Sequence, residues 1–185
     1  MDTMRRTKGW LDDAHIAEAL ARANPDEALA ITLMADAGCR LGEALAFDPS
    51  SLTGNDSLRI YSTKSRAWRT VPVTDRLAHA IREIRRLPGG GRIILSRRTL
   101  QRRLLEICAA AGTPPTTPHR LRHSYATRLH AEHVPLATIS ALLGHRSIAV
   151  TLLYIHAGEH DYAHAKKALD RRARRLATRS LAKHS

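Results

Sequence analysis

The stretch TPHRLRHSYAT, Thr117 to Thr127, spaces His119, Arg122 and His123 at i, i+3 and i+4. At about 100° per residue the three share one side of a helix, with Leu121, Tyr125 and Leu129 as an apolar stripe beside them. Thr117 suits an N-cap and Pro118 the first helical position, so the helix is expected to start here. Cations gathered at the positive end of a helix are unfavourable unless an anion sits there, so the spacing asks for an anionic partner. Metal chemistry is the rival, because His119 and His123 stand i, i+4, as do His156, His160 and His164. Arg122 on the same face repels a cation, and no carboxylate cluster joins it, so no metal and no cofactor are expected. The later histidine trio suits a solvated helix face.

Four further residues could take part, each with a plain structural alternative. Arg40, in GCRLGEAL, is an arginine in an apolar segment and needs a carboxylate or phosphate; Glu43 could pair with it as a helix-end salt bridge. Lys64, in STKSRAWR, occupies a turn and by itself reads as solvated. His145, in GHRS, reads singly as a cap or surface histidine, and Tyr154, in TLLYIH, as a half-buried core tyrosine.

The elements that must position these groups are mostly helical. WLDDAHIAEALARAN carries Leu11, Ile16, Ala19, Leu20 and Ala23 at helical spacing. NPDEALAITLMADAG follows, with Asn24 as cap, Glu27 in the capping-box position and Gly38 as stop. RLGEALAF is a third short helix ending before Pro49. SLRIYSTK and RAWRTVPV are two β-like runs joined by a basic turn. TDRLAHAIREIRR and RTLQRRLLEICAAAG are helical, the second with Leu100, Leu104, Ile107, Cys108 and Ala111 on one stripe. LPGGGR lacks a following Gly-Lys-Ser/Thr, so it is a loop and not a phosphate cradle. PLATISALLG is a short helix that Gly144 terminates, and SIAVTLLYIHAG leads into a basic tail with Ala165, Leu169, Ala173 and Leu176 on a narrow stripe.

Composition bounds the partners. Thirty Lys and Arg against 17 Asp and Glu give a net charge of +13 in 185 residues, which points to a polyanion. Aromatics make up only 4%, which argues against base-stacking platforms of the kind that bind single strands. Cys39 and Cys108 sit among apolar residues and read as buried free thiols. No apolar run approaches the ~20 residues of a membrane span, and the N-terminus has no signal-peptide core, so a cytoplasmic location without membrane contact is expected.

In chain order, AGCRLGEAL, TKSRAWRTVPV, PHRLRHSYAT, LLGHRS and TLLYIH resemble the catalytic domain of the tyrosine recombinase (phage integrase) family, over about Leu11 to His156. The family's six catalytic positions fall on Arg40, Lys64, His119, Arg122, His145 and Tyr154. The resemblance implies a mainly α fold with a small antiparallel β-sheet, a catalytic domain over residues 1–164, and a basic tail over 165–185. The tail either docks on a neighbouring protomer or folds back on its own domain. Full-length members generally carry an N-terminal helical domain that closes around DNA; nothing precedes Trp10 here, so that domain is expected to be absent from the chain.

The implied activity is site-specific recombination of double-stranded DNA, integration included, without metal or ATP. Tyr154 attacks a phosphodiester to give a 3′-phosphotyrosine and a free 5′-hydroxyl, which reverses the reaction on the same or a partner strand. Arg40 and Arg122 are expected to clamp the developing charge, with a further hydrogen bond from His145. A phenol near pKa 10 is only about 0.1% ionised at neutral pH, so His119 is expected to take its proton. Lys64 is the expected acid for the departing 5′-oxygen. A monomer in solution and a tetramer on paired sites are expected. A type IB topoisomerase shares similar chemistry, but the LLGH…Y ending favours a recombinase. A DNA-binding regulator with dead chemistry would have lost a catalytic residue, and none is missing.

Overall fold

Asn24 and Glu27 start the helix on which the rest is built: each accepts the other's backbone N–H at 3.0 Å. The computed structural model of the chain describes residues 10–54, 56–145 and 149; Tyr154, the histidine trio and the tail over 165–185 lie outside the described residues. That first helix in the core, α2 (Pro25–Asp36), follows α1 (Asp13–Leu20). Leu29, Ala30, Ile31, Leu33, Met34 and Ala35 on it have no solvent exposure. A helix apolar on every side belongs at the centre of a domain, and each large side chain buried there is worth roughly 1.5–3 kcal/mol. Packed against α2 are α1, α3 (Leu41–Leu45), α4 (Asp75–Arg85) and α6 (Pro118–Ala131). Completing the described helices are α5 (Arg97–Ala110), packed on α3, and α7 (Leu136–Leu143), packed on α6.

Buried Asp36, at the end of α2, ties three helices together by accepting from Arg76 of α4 and Arg128 of α6. Burial raises its pKa, but hydrogen bonds from both arginines outweigh that and hold it below the usual range.

Three antiparallel strands, β1 (Leu52–Thr53), β2 (Ser57–Ser62) and β3 (Ala67–Pro72), lie in that order. Leu58 pairs with Val71, Ile60 with Arg69 and Tyr61 with Trp68. The alternation turns Leu58, Ile60 and Val71 into the core and leaves Arg59, Tyr61, Trp68 and Thr70 outside.

The mainly α fold with a small sheet is as expected from the sequence, with differences at the edges. The first helix begins at Asp13 and not at Trp10, because the Asp12 carboxylate caps it by accepting the His15 N–H at 2.9 Å. Leu11 is buried ahead of the helix, its N–H donating to Ser124 Oγ at 2.7 Å. The strand β1 and the 3-10 turn Pro49–Ser51 were not anticipated; two residues carry no alternation to read. Both cysteines are buried and free.

Candidate active site

Arg40, Lys64, His119, Arg122 and His145 line one open cavity of about 980 Å³. They reach it from the start of α3, the β2–β3 turn, the first turn of α6, the next turn of α6 and the end of α7. The expected nucleophile, Tyr154, lies outside the described residues. His123, grouped with His119 and Arg122 by helical spacing, is half-buried and is not part of the lining.

Arg40 stands just ahead of α3, in extended backbone, at the helix end where its sequence neighbours put it. The Glu43 carboxylate accepts its backbone N–H at 2.8 Å and its Nη1 at 2.9 Å, and Nη1 also reaches Ser62 Oγ at 3.1 Å. The helix-end salt bridge is therefore real, and it aims the guanidinium into the cavity. About 29% of the side chain remains exposed, enough for an incoming anion to meet it.

Arg122 is only 4% exposed. Its guanidinium donates to the carbonyls of Gly38 and Leu143, the latter at 2.7 Å, with Glu43 at 3.9 Å. Leu143 is the last residue of α7 and Gly38 lies two residues past the end of α2, so one negative helix C-terminus and one loop carbonyl face this cation. The anion demanded by the α6 cations is thus supplied in part by the protein. Gly38 permits the approach: with φ of 61°, a Cβ there would come within 2.7 Å of the Tyr125 ring.

His145 follows Gly144, whose left-handed φ of 66° ends α7 and lets the His145 N–H donate to the Ser140 carbonyl at 3.0 Å. Its Nε2 lies 2.9 Å from Arg122 Nη2. A guanidinium only donates, so Nε2 accepts and the ring proton is on Nδ1. Burial, then the charges of Arg122, Arg40, Arg69 and Lys64, push the pKa from 6.5 down to about 4, so the ring is neutral at pH 7.

Glu43 organises the arginines. Besides Arg40 it accepts from Arg69 Nη2 at 2.7 Å, a pair with both side chains under a tenth exposed. Burial raises its pKa, but hydrogen bonds from Arg69 and the Arg40 backbone, with the arginine charges, bring it down to about 2. Arg69 was not singled out by sequence. From β3 it also donates Nε to the Leu142 carbonyl at 2.8 Å, so Arg69 and Arg122 hold successive carbonyls at the end of α7. Its signal was available: a cation at a position of β3 whose alternation faces inward. Arg97 was missed too. It reaches the cavity across Gly42, where a Cβ would lie 2.5 Å from Arg97 Nη2.

Arg40, Arg59, Lys64, Arg97 and Arg122 make the lining cationic. Its acids are engaged: Glu43 as above, and Asp48 with Arg92 and Ser50. Among the described residues no three His, Cys, Asp or Glu gather as a metal site, and no helix is long and apolar enough to cross a membrane.

This architecture is that of a tyrosine recombinase catalytic domain. It matches the catalytic domain of bacteriophage HP1 integrase with a TM-score of 0.65 at 23% identity, over 85% of this chain and 93% of that one. It matches XerH site-specific recombinase bound to palindromic difH substrate with a TM-score of 0.71 at 19% identity, over 88% and 53%. The Phage integrase family model matches residues 10–160, and the chain belongs to that family. Tyrosine recombinase XerC of Rhizobium meliloti (strain 1021) is 35% identical over 158 residues, 77% of this chain and 48% of the relative. The chain spans about half the length of the curated relatives it matches.

Proposed function

We propose that the chain cuts and rejoins double-stranded DNA at specific sites, through a 3′-phosphotyrosine on Tyr154. The observation that carries this is the convergence of Arg40, Lys64, His119, Arg122 and His145 on one cationic cavity. Family membership, and relatives named as recombinases, support the same reading.

Arg122, anchored by backbone carbonyls, and Arg40, braced by Glu43, present two fixed guanidiniums to the non-bridging oxygens of a phosphodiester. Donors fixed in advance stabilise developing charge without reorganising, worth roughly 3–4 kcal/mol for each donor removed. His145 is neutral and braces Arg122 through Nε2. His119, exposed at the first turn of α6, takes the tyrosine proton, and Lys64, exposed in the β2–β3 turn, protonates the leaving 5′-oxygen. The negative charge a metal would otherwise offset meets the arginines instead, so neither metal nor ATP is required.

Residues 1–164 act as the catalytic domain and 165–185 as an arm. The chain is a cytoplasmic monomer when free and a tetramer on paired sites. The test is incubation with a nicked duplex carrying a candidate site, in excess EDTA, followed by denaturing electrophoresis. A protein–DNA adduct that resists chelator supports the reading. Cleavage that is lost in EDTA and restored by magnesium or zinc makes the protein a metal nuclease instead. Relaxation of supercoiled DNA without strand exchange between two sites makes it a topoisomerase.

A further inference from the structure

Two of the chain's few aromatics lie side by side on the outer face of the hairpin. Trp68 is 58% and Tyr61 43% exposed, with ring centroids 5.1 Å apart. The Arg59 guanidinium rests over the Trp68 ring at 4.8 Å. Cross-strand register explains the cluster: Tyr61 stands directly opposite Trp68, and Arg59 is the diagonal neighbour on the same face. Such a pair stabilises a hairpin whether or not anything touches it. What the hairpin does not need is so much exposed indole at the rim of a cationic cavity. Arg59, Tyr61 and Trp68 line the same cavity as Arg40 and Arg122, and Lys64 sits in the turn that joins their strands. From Ser57 to Thr70 there are four cations, Arg59, Lys64, Arg66 and Arg69, and no carboxylate.

We propose that the Arg59–Tyr61–Trp68 face is a docking platform for the DNA strand next to the scissile phosphate. The Trp68 ring packs against a sugar and its base edge, and Arg59, held level by the ring, meets a neighbouring phosphate. This rests on the reading of the cavity as a DNA strand-transfer site. The occupant follows from charge and continuity. A surface carrying only positive charge, unbroken with the anion cavity, suits a polyanion, and one with apolar sugar and base edges between its charges suits a shelf that alternates aromatic and cationic groups. Scarce aromatics excluded a run of stacking residues along the chain; one pair, placed beside the chemistry, is a different device.

Trp68 reports on itself, since the chain has two tryptophans and Trp10→Phe leaves it the only one. The probe is a fluorescein-labelled random-sequence duplex at low salt, with binding followed by anisotropy and Trp68 followed by acrylamide quenching in the same samples. Bound duplex is expected to shield Trp68 from acrylamide. Trp68→Ala should weaken binding by roughly tenfold, with Trp68→Phe recovering most of it. Arg59→Gln should lower the slope of log affinity against log salt by about 0.9, the loss of one phosphate contact, which a purely structural role would not change. Shielding does not depend on how well the Trp68→Ala variant folds. Saturated binding with Trp68 still open to acrylamide, or an unchanged salt slope in Arg59→Gln, overturns the platform alone. A chain that binds no duplex by anisotropy overturns the strand-transfer reading and the platform with it.

Discussion

Glu43→Gln tests whether one carboxylate holds the arginine cluster together. The substitution keeps the shape and removes the charge, and it turns an NH₂ donor either toward Arg40 Nη1 or toward Arg69 Nη2 and the Arg40 backbone N–H, which share one oxygen; all three are donors. Glu43 ionises at about 2 in the fold against 4.5 as a free side chain. At about 1.4 kcal/mol per tenfold change in proton affinity, the charged form contributes about 3 kcal/mol at pH 7. Breaking one side of a buried pair costs about 3–5 kcal/mol by an independent route, so the two agree. The melting temperature should fall by about 6–12 °C for a chain of this length. The lowered pKa also fixes the direction with pH. The stabilisation is complete above 4.5 and drains away as pH falls toward 2, so the gap between the two proteins should shrink to about 1 kcal/mol at pH 3. Urea denaturation of both proteins, followed by far-UV circular dichroism at pH 7 and pH 3, measures this. A cost below about 1 kcal/mol at pH 7, or an equal cost at both pH values, would refute the reasoning.

In nitrogen-15 NMR of the free protein, His145 should appear as the neutral tautomer protonated on Nδ1 and titrate near 4; a midpoint at 6.5 would remove the Arg122 contact from the account. The stability it carries is present above 6.5 and lost as pH falls toward 4, because protonating the ring in the fold opposes burial and Arg122. Gly38→Ala should cost about 2 kcal/mol or more in thermal denaturation, from left-handed strain and overlap with Tyr125. Gly112→Ala, with similar φ and open space around it, should cost only the strain of about 1 kcal/mol. A 5′-bridging sulfur, which leaves without a proton, should rescue cleavage by Lys64→Ala more than by Arg122→Ala; equal rescue would remove Lys64 as the acid.

Much of this site was legible because its residues carry local signals. Pro118 after Thr117 marks the start of α6 and so places His119, and Gly144 marks the end of α7 and places His145. Asn24 and Glu27 announce α2 by capping chemistry alone. What stayed hidden depends on pairs distant in sequence. Arg69 joins Glu43 across 26 residues and Leu142 across 73, and no periodicity encodes either contact. The same is true of Arg122, where spacing gave the right side of α6 but could not show that carbonyls of Gly38 and Leu143, 84 and 21 residues away, surround it. Trp68 carried a strand signal, and only the register with β2 set it beside Tyr61 and under Arg59.

The most direct test of the central claim is to locate the covalent bond. The adduct formed with a nicked duplex is trimmed with nuclease, digested with protease and sequenced by tandem mass spectrometry, while the released strand is offered to polynucleotide kinase without prior phosphatase. The account predicts a nucleotide joined through its 3′-phosphate to Tyr154, and a strand whose 5′-hydroxyl is labelled at once. A nucleotide on any other residue, a 5′-phosphate linkage, or an adduct that persists in Tyr154→Phe would contradict it.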